Sequence, residues 1–182
     1  MGQINSVDLA RLLLPLRPED HVLGPEDARY TLVEYGDYEC PACGRLNQIL
    51  QVLQEEMGPS LRIVFRQYPL SGIHKHAQQA AEAAEAAGAQ GRYWEMHSLL
   101  FENQDALQTR DLIRYAERLR LDVNRFKQEL KRGEYSERVR ADFRAGVQNG
   151  VAGTPGLFIN GTRHSGAWDI ESLRRELLGD VK

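Results

Sequence analysis

Residues 30–43 read YTLVEYGDYECPAC. The first six of them form an apolar run rich in β-forming side chains, which predicts a buried strand. The stretch ends in Cys40 and Cys43, the only two cysteines of the chain. Two cysteines at this spacing can form a redox pair, supply half of a metal site, or simply fill space in a core. The residues on either side favour the first of these uses.

The segment that begins at Pro41 predicts a helix, because apolar residues recur three and four positions apart until Gly58. RIVFRQY at 62–68 predicts a second strand. Strand, helix and strand in this order are typical of a βαβ unit with parallel strands and its chemistry at their carboxyl ends. Cys40 then lies at the N-cap of the helix, and Pro41 suits the first helical position because its missing N–H would have no partner there.

The start of a helix favours a reactive thiol. Its free N–H groups and partial positive charge stabilise a thiolate and lower the pKa of the thiol. Cys43 is one turn further along, within reach of a disulfide with Cys40. This context makes the CxxC motif a strong indication of thiol–disulfide chemistry. Glu34 lies in the apolar strand, so it either faces water on an edge strand or is a buried acid of raised pKa that relays the proton of Cys43.

The rest of the chain predicts a helical block and then a return to β structure. Residues 75–149 are expected to be helical almost throughout, with Thr109 and Asp122 at N-cap positions. GLFIN and TRHSGAW flank an Asn-Gly pair at 160–161, which predicts a hairpin with a type I′ turn. Asp169 is expected to cap a final helix.

Composition excludes several classes of function. The 182 residues are 42% hydrophobic and 27% charged, which is typical of a globular chain with its own core. No apolar run approaches the roughly 18 residues of a membrane span, and a net charge of -3 provides no basic field for nucleic acid. Residues 1–20 lack the pattern of a secretory signal, so we expect a cytoplasmic location, or a periplasmic or exported one if a signal has been removed.

The CPAC motif after TLVEYGDYE, the helical block and GTPGLFINGT together resemble the DsbA-like thiol–disulfide oxidoreductases of the thioredoxin superfamily. The resemblance implies an α/β thioredoxin fold with an inserted α-helical domain. It divides the chain into an N-terminal extension, a first thioredoxin part, the inserted helical domain and a second thioredoxin part, at residues 1–20, 21–74, 75–149 and 150–182.

The resemblance also implies a reaction. In that family the first cysteine of the motif is the nucleophile and the second resolves, which assigns these roles to Cys40 and Cys43. The acid six residues before the nucleophile corresponds to Glu34. We therefore expect a thiol–disulfide oxidoreductase that acts on protein or peptide thiols and disulfides with an unidentified redox partner. No metal and no other cofactor is expected.

Four residues are expected to contact the substrate: Pro41, Ala42, Thr154 and Pro155. The family has a cis proline against the cysteine pair, which implies a cis Thr154–Pro155 bond. One residue departs from the family, since its strong oxidants often have histidine where this chain has Ala42. With Asp37 and Glu39 close in sequence to the thiolate, we expect a weaker oxidant.

Two other functions stay open from the residues alone. His74 and His76 could complete a zinc site with the cysteines, with His97 or His164 as substitutes, although residues 44–73 make the ligand spacing unusually long. The chain could also be a binding module of thioredoxin fold whose cysteines are inert. Metal analysis and thiol reactivity near neutral pH separate these functions from catalysis.

Overall fold

The computed structural model describes residues 15–179. Within them a mixed sheet has the strand order β1-β3-β2-β4-β5. Its strands are β1 His21–Leu23, β2 Tyr30–Gly36, β3 Leu61–Gln67, β4 Gly156–Ile159 and β5 Thr162–Arg163. The central strand β2 runs parallel to β3 and antiparallel to β4, so the predicted parallel pair is confirmed. The edge strand β1 was not predicted, because three residues are too few to show a pattern.

The helices follow the predicted order. They are α1 Pro41–Met57, α2 Ala77–Gly88, α3 Tyr93–Glu102, α4 Thr109–Arg118, α5 Val123–Arg132, α6 Ser136–Gln148 and α7 Ile170–Leu178. Helix α1 connects the two parallel strands, and α2 to α6 all lie between β3 and β4. The α/β thioredoxin fold with helices inserted after the βαβ unit is therefore confirmed. The exact domain boundaries stay a prediction.

Two of the three predicted helix caps are confirmed. Asp122 and Asp169 each accept a hydrogen bond from a backbone N–H in the first turn of α5 and α7. Thr109 is not the N-cap of α4. Gln108 holds that position, and its N–H donates to the Asp111 carboxylate at 3.2 Å. The prediction was one residue late because Thr is a far commoner N-cap than Gln.

The hairpin forms where the Asn-Gly pair predicted it. Asn160 and Gly161 have φ values of 48° and 80°, and a type I′ turn needs positive φ at both positions. The Asn160 side chain also accepts the N–H of Thr31 at 2.9 Å, which ties the turn to β2. Strand β5 has only two residues, and most of TRHSGAW after it is irregular.

Apolar side chains cover both faces of the sheet. Helices α1 and α7 pack on one face through Leu46, Leu50 and Leu173, and α6 packs on the other through Ala145. A further cluster fills the helical block and includes both cysteines. The cysteine pair therefore lies where the sheet meets the inserted helices.

The chain before β1 is joined to the sheet by a buried ion pair. Arg66 on β3 donates to both carboxylate oxygens of Asp20, at 3.0 and 2.7 Å, and to the carbonyl of Pro15 at 2.8 Å. The side chains of Arg66 and Asp20 are both fully buried. Residues 15–20 of the predicted extension thus pack on the sheet. The expectation about a secretory signal concerns residues 1–20, of which residues 1–14 lie outside the described part of the chain.

Candidate active site

Strand β2 and helix α1 place the two cysteines in different environments. Cys40 is the N-cap of α1 with extended backbone angles, and Pro41 begins the helix, as predicted. Both cysteines are free thiols. Cys40 is 7% exposed and Cys43 is 0% exposed, so an incoming reagent meets Cys40 first. The expected nucleophile is therefore accessible, although much less exposed than the sequence suggested.

Cys40 is stabilised as a thiolate. Hydrogen bonds lower the pKa of Cys40 to about 5 against the opposing effect of burial. The largest contribution comes from the Cys43 thiol, followed by the Thr154 side chain and the backbone N–H groups of Cys43 and Ala42. These N–H groups belong to the first turn of α1, where no intrahelical partner exists for them. At neutral pH Cys40 is accordingly ionised, which is the state that a nucleophilic cysteine requires.

Cys43 has the opposite character. Burial raises its pKa far above that of an ordinary thiol, and its hydrogen bond to Cys40 and the nearby Glu34 raise it further. Cys43 thus holds its proton until a base takes it. The two thiols differ in both ionisation and access, as attack by one and resolution by the other require.

Glu34 lies near the middle of β2, flanked by Phe65 on β3 and Leu157 on β4. The residue is 1% exposed, so the edge-strand interpretation is wrong. Its Oε1 atom is buried and has no hydrogen-bond partner among the described residues. Burial, with a smaller contribution from the Cys40 charge, raises the pKa of Glu34 to about 8. An acid of this kind can both take and return a proton near neutral pH.

The loop before β4 lies against Cys40. The Thr154–Pro155 peptide bond is cis, as the resemblance implied. The Thr154 carbonyl oxygen is 3.6 Å from the Cys40 sulfur and accepts a hydrogen bond from it only while Cys40 carries its proton. The Thr154 hydroxyl is buried and has no other partner among the described residues, so it is free to donate to the thiolate.

A cavity of about 200 Å³ opens beside this loop. It is lined by Ala42, Arg45, Leu46, Ile49, Pro155 and Trp168. Trp168, 45% exposed, gives the cavity an apolar wall that solvent reaches. Two of the four expected substrate-contacting residues, Ala42 and Pro155, therefore share a cavity. Pro41 is exposed but does not line it.

Gln104, between α3 and α4, is a contact that the sequence did not reveal. Its Nε2 atom donates to the carbonyl oxygens of Tyr38 and Cys40, at 2.9 and 2.8 Å. The inserted helical block thus holds the turn that carries Cys40. Gly44 makes this approach possible, because a Cβ atom at that position would collide with the Gln104 side chain. No local pattern indicates that a glutamine so distant in sequence contacts the motif.

The carboxylates near Cys40 are paired with the histidines of the HKH segment. Asp37 lies 2.8 Å from Nδ1 of His74, and Glu39 lies 2.9 Å from Nδ1 of His76. Each carboxylate expected to oppose the thiolate thus has a histidine partner, and its effect on the thiolate stays a prediction. His74 and His76 also do not approach the cysteines as a ligand set. Within residues 15–179, no three His, Cys, Asp or Glu side chains are grouped to hold a metal ion.

The other two candidate zinc ligands have structural partners. His97 is buried among aromatic rings and contacts the Tyr38 hydroxyl at 3.0 Å and the Asn47 side chain at 3.2 Å. Burial, helped by the charge of His21, lowers the pKa of His97 to about 3, so the ring is neutral at physiological pH. His164 contacts the Glu176 carboxylate at 2.6 Å. His97 therefore packs inside the helical block.

The fold, the cysteine pair at the start of α1 and the cis proline beside it define a thioredoxin-like redox protein. The family model described as Thioredoxin matches residues 16–177. A thioredoxin-like oxidoreductase from Silicibacter pomeroyi superposes with a TM-score of 0.76 at 26% identity, over 87% of this chain and 90% of that one. BdbD from Bacillus subtilis gives 0.75 at 26% identity, over 87% and 92%. The chain belongs to the thioredoxin superfamily, among the DsbA-like thiol–disulfide oxidoreductases.

Sequence relatives carry a different name. A Na(+)/H(+) antiporter NhaA 3 from Salinispora tropica is 47% identical over 163 residues, which cover 89% of this chain and 25% of the antiporter. An antiporter NhaA 1 from Salinispora arenicola is 46% identical over the same shares. The chain thus spans about a quarter of the length of these curated relatives. In its described part, none of the helices combines the length and the apolar character of a bilayer-spanning segment.

Proposed function

We propose that this chain exchanges disulfides with protein or peptide thiols through Cys40 and Cys43. The observation that carries the proposal is the contrast between the two sulfurs. Cys40 has a pKa lowered to about 5 and some exposure, whereas Cys43 is fully buried with a raised pKa. Neither two inert cysteines in a core nor a metal site requires two thiols that differ in pKa and exposure.

The reaction proceeds in two exchanges. The Cys40 thiolate attacks one sulfur of a substrate disulfide, and the other sulfur leaves and takes up a proton. Glu34 then accepts the proton of Cys43, whose thiolate attacks the Cys40 sulfur of the mixed disulfide. The second substrate sulfur leaves as a thiolate and takes up a proton in turn. The substrate gains two electrons, the pair becomes a disulfide, and the same steps in reverse oxidise a substrate dithiol.

Alkylation of Cys40 tests the proposal directly. Because the pKa of Cys40 is lowered to about 5, its rate of reaction with iodoacetamide should rise through about pH 5 and change little from pH 6.5 to 8. Cys43 should stay unmodified over this range. The rates follow from mass spectrometry of the intact protein and its peptides. A rate that climbs about tenfold per pH unit up to pH 8, as for an ordinary thiol, or faster labelling of Cys43, would refute the assignment and favour an inert binding module.

We infer that the substrate lies across Thr154 and Pro155, with Pro41 and Ala42 beside it. The cavity next to Pro155 is apolar and large enough for one apolar side chain next to the reacting cysteine. The 3.6 Å contact between the Thr154 carbonyl and the Cys40 sulfur supports this proposal, because a substrate that pairs with the Thr154 backbone would lie beside that sulfur. Peptides and proteins fit this arrangement better than small disulfides, which have no chain to lie along the loop.

Trp168→Ala should weaken peptide binding without changing the thiol. Loss of the exposed apolar wall is expected to raise the KM for a peptide disulfide with an apolar residue next to cysteine by roughly tenfold. The reaction of Cys40 with iodoacetamide serves as the control and should be unchanged. An unchanged KM for the peptide would exclude this cavity as the substrate site.

The direction of exchange depends on the redox poise of the compartment. The cytoplasmic location expected from the sequence has no support in the fold or the relatives.

We propose that the pair is an oxidant of intermediate strength, because a Cys40 pKa of about 5 falls between about 7 for thioredoxin and about 3.5 for DsbA. A low pKa of the nucleophilic cysteine stabilises the reduced form, which makes the disulfide more oxidising.

The antiport activity named in the relatives is not proposed for this chain, because the chain matches only a quarter of the length of those proteins.

A further inference from the structure

Asp37 joins the turn that carries Cys40 to the segment after β3. Its carboxylate is buried and accepts the backbone N–H of Leu70 and of Glu39, each at 2.8 Å. The Nδ1 atom of His74 lies 2.8 Å from the same carboxylate. The Asp37 carbonyl accepts the N–H of Cys40 at 3.1 Å. One residue thus connects the nucleophile to His74 through hydrogen bonds on both sides.

A buried carboxylate at this position needs a counter-charge. Left alone, the negative charge of Asp37 would disfavour a second negative charge on Cys40. No arginine or lysine pairs with the Asp37 carboxylate among the ion pairs of the described residues, and His74 is its partner. His74 is 19% exposed, so it can exchange protons with solvent.

Cys40 and His74 influence each other. Burial alone would lower the pKa of His74, but the hydrogen bond and charge of Asp37, with the charges of Cys40 and Glu39, outweigh burial and raise it. The charged groups that act on His74 from the turn before α1 and the start of α1 are these three. Lys75 and His76 are its neighbours in its own segment. Because such coupling is reciprocal, a protonated His74 stabilises the Cys40 thiolate by the same amount.

Resting on the proposed exchange reaction, we propose that His74, held by Asp37, is a positioning residue that neutralises the charge beside Cys40 and stabilises its thiolate. It supplies from the segment after β3 the positive charge that Ala42 lacks inside the motif. His74 does not touch the substrate sulfur. Its effect reaches the reaction through the stability of the reduced pair.

Protonation of His74 changes the number of protons that the protein takes up when its disulfide is reduced. Two electrons convert the Cys40–Cys43 disulfide to a thiolate on Cys40 and a thiol on Cys43, which takes up one proton. The new thiolate raises the pKa of His74. In the pH range between the His74 pKa of the oxidised protein and that of the reduced protein, His74 therefore takes up part of a second proton. Without His74 this contribution is lost while those of Cys43 and Glu34 remain, and the redox equilibrium depends less steeply on pH there.

The test compares four variants of the full chain with the wild type: His74→Gln, Asp37→Asn, the two combined, and His76→Gln. His76 is the matched control, a histidine of the same segment that pairs with the more exposed Glu39. The measurements are the pH dependence of Cys40 alkylation and the equilibrium with glutathione between pH 5.5 and 8.5. Far-ultraviolet circular dichroism checks that each variant is folded.

We expect His74→Gln to raise the pKa of Cys40 by roughly one unit and to make its disulfide easier to form by a corresponding factor of roughly ten. Asp37→Asn should leave that pKa unchanged or lower it, because the negative charge disappears. The combined variant should return towards the wild type, and His76→Gln should change little. A rise of the Cys40 pKa in His74→Gln without a rise in Asp37→Asn indicates an effect of charge, because a loosened loop would shift this pKa in the same direction in both variants.

Three results would overturn the inference while leaving the proposed function intact. The first is a wild-type Cys40 pKa and glutathione equilibrium in His74→Gln. The second is an equal shift of the Cys40 pKa in His74→Gln and His76→Gln, and the third is a shift of the same sign in His74→Gln and Asp37→Asn. A wild-type pair that never forms a disulfide with glutathione would overturn the proposed function itself.

Discussion

Cys43→Ser is expected to trap mixed disulfides on Cys40, and Cys40→Ser is expected to abolish exchange. Cys40 is the sulfur with access and a stabilised thiolate, and Cys43 is the buried sulfur that must release the intermediate. After mixing with a peptide disulfide at pH 7, intact mass should show one peptide bound to Cys43→Ser. The wild type should show the free oxidised protein, and Cys40→Ser should show no adduct.

Serine is the matched replacement at both positions because it keeps the size and the hydrogen-bonding group of cysteine. In Cys43→Ser the hydroxyl can still donate to the Cys40 thiolate, so the first attack should stay fast. Stable adducts on Cys43 in the Cys40→Ser protein would reverse the assigned roles. Absence of adducts on both variants, with both folded, would show that the pair is inert.

Glu34→Gln is expected to slow resolution and to change how stability depends on pH. Removal of a general base typically costs a factor of about 10² or more. With a pKa raised to about 8, Glu34 is ionised in only a minority of molecules at pH 7, and loss of that charge makes Cys43 only slightly easier to ionise. We therefore expect a net loss of about tenfold in the release of the mixed disulfide at pH 7. The rate of Cys40 alkylation, which does not need the base, is the control.

The stability effect has a definite sign. The pKa of Glu34 is raised from 4.5 to about 8 on folding, so between these values the folded state holds a proton that the unfolded state has lost. The contribution of Glu34 to the free energy of unfolding is fully present below pH 4.5 and falls as the pH rises towards 8. The wild type should lose stability relative to Glu34→Gln by roughly 1.4 kcal/mol per pH unit across pH 5–7.5. Urea unfolding at several pH values measures the difference, and parallel curves for the two proteins would show that Glu34 ionises like an exposed acid.

The sequence predicted the elements whose signals are local. The apolar run of β2, the three-and-four spacing of α1 and the Asn-Gly turn each depend on neighbouring residues, and each lies where it was expected. The position of Cys40 at the N-cap of α1 follows from the same local patterns. The cis Thr154–Pro155 bond was expected only from the family resemblance, because most X-Pro bonds in folded proteins are trans.

Contacts between distant segments were the part that the sequence did not show. Strand β1 is too short for a pattern and forms only by pairing with β3. Gln104 reaches Cys40 from the helical block, and no periodicity indicates such a contact. The HKH segment was considered for zinc because histidines and cysteines are common ligands. Its ion pairs with Asp37 and Glu39 depend on the return of the chain after β3 to the end of β2.

These ion pairs also change the view of oxidant strength. From the sequence, Ala42 was expected to leave the thiolate without added support, and Asp37 and Glu39 were expected to oppose it if they lie close in space. In the structure the carboxylates have histidine partners, and the Cys40 thiolate is stabilised by Cys43, Thr154 and the start of α1. An oxidant weaker than the strongest family members stays a prediction.

A redox titration of the wild-type chain against glutathione tests the central claim most directly. The protein is equilibrated at pH 7 in buffers of graded ratio of reduced to oxidised glutathione, quenched with acid, and its free thiols are counted by labelling and mass. We predict a single reversible two-electron transition between a dithiol and a Cys40–Cys43 disulfide, with a midpoint between about -270 mV and about -120 mV. Two free thiols at every ratio, or loss of thiols that excess reduced glutathione does not restore, would contradict the assignment of this pair as a redox centre.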